Sequence, residues 1–403
     1  MGRAKERMYE LEHEEPDYTS HLSGKYVSST CFKDSYLEEY INQNGTKGIC
    51  TYSRIHGIVM PMTEFMSFIR HRVLSRFTSI EDACLPTASS WFDDDDEEIP
   101  GLERLGIYAA PAKCKKYPET WSMLNALHIF DRYEDLNSDI IDCFPDQSWI
   151  QSEPFIISLS EELSMSWRQF ASMVMHKQRF TFLARPEFSG EPSHYDNCLF
   201  DILTELSSII NQFGLCKYEH PQLFRARPLS DSEEVEKDFK EITSAPDKCS
   251  HQSRMSPAGI SMFYGSYDEE TPRIESTDDH KGNGRFLMGE FNPKRNLYLL
   301  DLTDIPQPSF WRDGSEELYF LHDFRREMSK PIDPKSNSKH YEYIPTQVFT
   351  EYLRYMYKDL SANTLDGIKF NSSINGRVNV VLFLDNKSSA SVLQSVRIWE
   401  HTN

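Results

Sequence analysis

The hydrophobic period of this chain changes once, near Gly214, and that change limits the architecture more than any other feature. Before it, apolar residues recur at helical spacing: Phe65, Phe68, Ile69 and Val73 in one segment, Met165, Phe170, Met173 and Val174 in a second. The third case is the clearest, with Leu199, Ile202, Leu203, Leu206, Ile209, Ile210 and Phe213 forming one wide stripe that Gly214 can end. Residues three and four apart share a helix face, so each stripe must be buried. After Gly214 the apolar runs are short and strand-like: LFRARP at 223–228, SMFYG at 261–265, RFLMGEF at 285–291, NLYLLDL at 296–302 and VNVVLFLD at 378–385, with an amphipathic helix over 344–360. The fold class this predicts is α+β, a mainly helical N-terminal half followed by a C-terminal mixed α+β domain.

The bulk numbers narrow the function classes. With 403 residues and 39% hydrophobic content, the chain can bury the cores of two domains. A net charge of −20 argues against a phosphate-binding surface spread over the molecule, so no nucleic acid is expected, while a local cationic pocket for a small phosphorylated ligand stays open. No apolar run is long enough to span a bilayer, so no membrane partner is expected. The 8 cysteines are scattered without a dense framework and read as reduced thiols. Met1–Glu15 is charged and lacks an apolar signal region, which sets the expectation of a cytoplasmic protein.

The segment Arg254–Glu275, RMSPAGISMFYGSYDEETPRIE, carries the chemistry. It places Arg254 on a polar loop, Tyr264 in a strand, and Glu275 in the first turn of a helix for which Asp268 is a candidate cap and Pro272 a suitable early residue. A guanidinium offers a planar, permanently charged fork for a diphosphate. A tyrosine offers an aromatic face for a base or nicotinamide. A carboxylate can bind ribose hydroxyls and stabilise positive charge on the sugar as a base departs. Together these types suit binding a dinucleotide and breaking its nicotinamide–ribose bond. Spacing alone is a weak signal, since Arg254, Tyr264 and Glu275 taken singly read as an ion-pair partner, a core residue and a solvated helix residue.

Four blocks in order, LFRAR at 223–227, RMSPAGISMFYG at 254–265, DEETPRIE at 268–275 and DGIKFNSS at 366–373, resemble the RES-domain family, named for an Arg, a Glu and a Ser. The resemblance covers roughly 216–390. It implies a fold similar to the ADP-ribosyltransferases and an activity that destroys NAD by hydrolysis or phosphorolysis, as in the family's toxins. By motif, Arg254 matches the Arg of a block that is usually GRW, Tyr264 the Tyr closing the next strand, and Glu275 the Glu after the small-residue helix start. Ser372 matches the late Ser, with Asn371 standing where a Pro usually precedes it; Ser373 is the fallback, and Arg225 matches an early Arg near the first strand. The resemblance thus implies catalytic roles for Arg254, Tyr264, Glu275 and Ser372 and substrate-binding roles for Arg225 and Ser373. Pro272 and Arg273 depart from the pattern, occupying positions where small residues are usual.

The pieces GKYVSSTCF, GICTYS and SWRQFASMVMHKQRF resemble the HEPN/RES N-terminal domain, which usually begins with a CxxC…CxxC zinc ribbon. Here Ser28 stands three before Cys31 and Ser53 three after Cys50, so 24–54 reads as a degenerate ribbon held by packing, with no metal. The expected organisation is an N-terminal domain over 1–150, a helical connector over 151–214 belonging to that half, and the RES domain over 215–395. The function expected is that of an NAD glycohydrolase or phosphorylase, a toxin or defence effector with NAD as substrate and no bound cofactor. The alternatives are an ADP-ribosyltransferase acting on a macromolecule and a non-catalytic sensor or scaffold. An inhibitory protein partner or antitoxin, and a homo-oligomer, stay open.

Overall fold

The computed structural model describes residues 18–82, 115–152, 157–180, 194–277, 284–329 and 339–402; the charged stretch Met1–Glu15 lies outside them. The chain divides into two compact units, one made of Met1–Ser158 with Gln307–Ser315, the other of Leu159–Pro306 with Glu316–Asn403. Among the described residues no helix is long and apolar enough to cross a membrane.

The first unit holds a three-stranded antiparallel sheet, β1 (Tyr26–Ser28), β2 (Thr46–Ile49) and β3 (His56–Pro61), in the order β1-β3-β2. Helix α1 (Ser35–Asn44) starts under Asp34, whose carboxylate accepts the Tyr36 and Leu37 N–H groups that would otherwise lack partners. Helix α2 (Met62–Leu74) buries Phe65, Met66, Ile69 and Val73, the helical spacing read from sequence. A second small sheet, β4 (Phe77–Ser79), β5 (Lys116–Tyr117) and β6 (Trp149–Gln151), has the order β4-β6-β5, and α3 (Thr120–Ala126) and α4 (Glu134–Ile141) complete the unit. Its core gathers Phe65, Trp149 and Trp311. Helix outweighs strand in the N-terminal half, as expected, but the half also holds these two small sheets, which the sequence did not mark. Several of its strands are only two or three residues long, too short for an alternating pattern to register in the sequence.

The second unit is built on an eight-stranded mixed sheet. Its strands are β7 (Cys216–Glu219), β8 (Leu223–Leu229), β9 (Phe263–Ser266), β10 (Arg285–Pro293), β11 (Leu297–Asp301), β12 (Gly367–Asn371), β13 (Val378–Leu382) and β14 (Leu393–Thr402). The order is β14-β10-β8-β9-β13-β12-β11-β7, with β11 and β12 parallel and the other neighbours antiparallel. The helices are α5 (Leu159–His176), α6 (His194–Gln212), α7 (Phe239–Ile242), α8 (Thr271–Glu275), α9 (Ser315–Ser329), α10 (Lys339–Glu342), α11 (Ile344–Tyr355) and α12 (Asn386–Val392). Successive residues of a strand point to opposite faces. Leu300 and Val381 accordingly join a core with Trp167, Phe170, Leu206, Phe324 and Phe349, while Leu299 and Val380 join a second core with Leu223, Phe263, Leu287 and Phe291.

Two domain boundaries differ from the sequence reading. The helices of 151–214 pack with the large sheet: Trp167 and Leu206 are 6% and 0% exposed in the same core as Leu300 and Phe349, so burial of their apolar stripes assigns them to the second unit. Gly214 still ends α6, in the left-handed region at φ 57°, with the Leu215 N–H returning to the Ile210 carbonyl. The sheet also runs past 395, because β14 continues to Thr402.

Candidate active site

The loop carrying Arg254 is tied to α11. Thr346 Oγ1 donates to the Arg254 carbonyl at 2.5 Å, and Gln347 Nε2 donates to the carbonyls of Ser253 and Ser256 at 2.8 and 3.3 Å. Gln347 is 7% exposed, so these bonds also satisfy its buried amide. The Arg254 guanidinium donates to the Met328 carbonyl at 2.9 Å and stands 5.7 Å from the centre of the Tyr343 ring. Burial pushes Arg254 down from its ordinary value, and the nearby Tyr343, Glu275 and Tyr264 oppose that shift.

Tyr264 sits in β9 with its phenol oxygen bonded to Ser253 and, at 3.1 Å, to Ser256. Burial pushes the phenol up, and the seryl contacts work in the other direction. The hydroxyl is thus committed to the Arg254 loop, and the ring is fixed in place.

Asp268 shapes the entry to α8. Its carboxylate accepts the N–H groups of Glu270 and Thr271 and, at 2.7 Å, the Thr271 hydroxyl. Pro272 occupies an early helical position. The helix is short, so Glu275 is its last residue and does not lie in its first turn. There its exposed carboxylate meets two buried donors. Ser372 Oγ, 5% exposed overall, donates to Glu275 Oε1 at 2.5 Å, and Asn379 Nδ2, on a residue 7% exposed, donates to the same oxygen at 3.0 Å. Arg273 meets His401 Nε2 of β14 at 2.5 Å.

The six residues singled out by sequence separate into groups. Glu275 and Ser372 are joined by a hydrogen bond, and the Tyr264 hydroxyl bonds Ser253 and Ser256 on either side of Arg254. Ser373 is an exposed turn residue with no side-chain hydrogen bond among the described residues. Arg225 lies on the other face of the sheet. Its register partner is Gly289, between Leu287 and Phe291 of the second core, whereas Phe224 pairs with Ser266 on the Tyr264 face. Its guanidinium stands 5.5 Å from the Phe263 ring and donates to the Tyr264 carbonyl at 2.7 Å, bracing the strand from behind. Burial pushes Arg225 down to about 10, and its Nε has no hydrogen-bond partner among the described residues. Asn379 was missed. The signal available was one amide inside the valine-rich run VNVVLF, where a strand buried on both faces otherwise takes apolar residues.

Residues 24–54 bring their four marked positions together. Cys31 and Cys50, both 0% exposed, hold their sulfurs 3.5 Å apart; Ser28 Oγ lies 3.6 Å from Cys31 Sγ, and the Ser53 N–H donates to Cys50 Sγ at 3.4 Å. The hydrogen bond with Cys50, together with burial, pushes the Cys31 thiol up. Two thiols with two hydroxyl-bearing residues do not fit the four strong ligands of structural zinc.

A family model described as HEPN/RES N-terminal domain 1 matches residues 43–188, and one described as RES domain matches residues 222–401. The first extends into α5, which by packing belongs to the second unit. No curated protein matches the chain. Among solved structures, a chain of the M. tuberculosis MbcT–MbcA toxin–antitoxin complex is similar at 12% identity, over 49% of this chain and 92% of that one, with a TM-score of 0.31.

Proposed function

We propose that this chain, a RES-domain protein with a HEPN/RES N-terminal domain, degrades NAD by cleaving its nicotinamide–ribose bond. The observation that carries the reading is the Glu275 carboxylate, clamped through one oxygen by Ser372 and Asn379. In the reaction the C1′–N bond breaks and its electron pair leaves with neutral nicotinamide. Glu275 stabilises the positive charge that develops on the ribose. Arg254 supplies the charge that holds the diphosphate, and the ring of Tyr264, its hydroxyl already engaged, packs against the nicotinamide. Ser372 holds Glu275 in place. Water attacking C1′ gives ADP-ribose and a proton; phosphate gives the 1″-phosphate of ADP-ribose. The ADP-ribosyltransferase-like fold, cytoplasmic action, a toxin role and an inhibitory antitoxin partner belong to the same reading and rest on the family match.

The test is release of free nicotinamide from NAD by the full chain, run with and without phosphate. We expect release by the wild type and a loss of roughly 100-fold or more in Glu275→Gln, the size of effect seen when a charge-stabilising contact is removed. Equal release by the variant would end the assignment.

A further inference from the structure

We infer that Asn379, locked by Ser266, is a positioning residue that determines which oxygen of Glu275 is presented to the ligand. The inference rests on the NAD-cleaving reading for its functional part and on geometry alone for the orientation. An exposed glutamate ending a five-residue helix would otherwise sample many rotamers. Here Oε1 takes both buried donors, and among the described residues no group hydrogen-bonds Oε2. Oε2 is therefore the oxygen left for the ribose.

The direction of every bond in this chain of contacts is forced. An ionised carboxylate only accepts, so the amide NH2 of Asn379 must face Glu275. Its carbonyl oxygen then faces Ser266, 2.5 Å away, and the Ser266 hydroxyl must donate to it. Ser266 is 2% exposed and is the direct register partner of Asn379 across β9 and β13. A flipped amide would set carbonyl against carboxylate, and the serine hydroxyl opposes that flip. The neighbours Val378, Val380 and Val381 show what the strand takes when packing alone decides. The amide thus connects the sheet interior to an exposed carboxylate.

The test uses the full chain and three variants. Asn379→Ala should lower kcat for nicotinamide release roughly 10- to 100-fold, the range for losing a hydrogen bond to a charged group, with KM changed far less. Ser266→Ala should lower kcat less, and the double variant should lose no more than Asn379→Ala alone, because the serine acts only through the amide. Asn379→Asp keeps the shape and the Ser266 contact but donates only when protonated, so its kcat relative to wild type should recover as pH falls. Parallel losses of kcat and melting temperature in all variants, additive effects in the double variant, or no recovery of Asn379→Asp at low pH would overturn the inference. If the wild type releases no nicotinamide, the NAD reading fails separately. The orientation is then decided by the side-chain amide resonance of Asn379, which must move in both Glu275→Gln and Ser266→Ala; a resonance indifferent to either overturns it.

Discussion

Asp301 and Glu275 are carboxylates of the same unit held in opposite ways. Asp301 is 2% exposed and both its oxygens are engaged: Oδ1 accepts the N–H and hydroxyl of Thr303, and Oδ2 accepts Lys369 Nζ at 2.9 Å. Lys369 also donates to Glu219 Oε1 at 2.8 Å, and the Tyr267 hydroxyl takes Glu219 Oε2 at 2.6 Å. That network braces strands β7, β11 and β12, and Lys217, 3.9 Å from Asp301 Oδ2, extends it to Asp304. Glu275 is exposed, has both donors on one oxygen, and keeps the other uncommitted toward described residues. A saturated ionic cluster is a brace; a carboxylate fixed on one side and open on the other can serve a ligand.

The comparison breaks most readily at Glu275. Glu275→Gln should cost roughly 100-fold or more in nicotinamide release, while its melting temperature stays near that of the wild type because the group is exposed. Asp301→Asn should do the reverse. It should remove roughly 2 kcal/mol from urea unfolding, the worth of a hydrogen bond to a buried charge, and leave kcat nearly unchanged. A variant at either position that lost stability and turnover together would erase the distinction.

Acid sharpens the same contrast. Burial works against ionisation of Asp301, but the hydrogen bonds from Lys369 and Thr303 outweigh it and hold the carboxyl below its usual range. A folded value depressed below the unfolded one, about 3.9 for Asp, adds stability above that pH which is lost as pH falls through the folded value. Urea midpoints measured from pH 6 down to pH 2 should therefore fall less steeply in Asp301→Asn than in the wild type. The smallest expected effect concerns the two arginines. Arg225→Gln should lower stability by about 1 kcal/mol through its lost bond to the Tyr264 carbonyl, with kcat/KM changed only a few-fold. Arg254→Gln should raise KM for NAD roughly tenfold or more, as expected for a lost phosphate contact. Equal kinetic losses in the two variants would place Arg225 in the site after all.

The difference between those arginines also marks where the sequence stopped being readable. The strands β8 to β11 and β13 announced themselves through short apolar runs, and the helices α5, α6 and α11 through helical spacing, both properties local to each segment. The blocks holding Arg254, Tyr264, Glu275 and Ser372 were equally visible. LFRARP likewise showed that Arg225 and Phe224 point to opposite faces, but nothing local says which face meets which partner. That followed only from the pairing of Phe224 with Ser266 and of Arg225 with Gly289, which join positions far apart in the chain.

The same limit explains the other misses. Asn379 gained its meaning from Glu275, 104 residues earlier, and from Ser266 on the adjacent strand. The helices of 159–212 carried a stripe that had to be buried, and only the tertiary structure decided that the large sheet would bury it. Side-chain chemistry and periodicity fixed what each segment could be. Non-local register and packing decided what each residue faces, because those depend on contacts that no single stretch of chain contains.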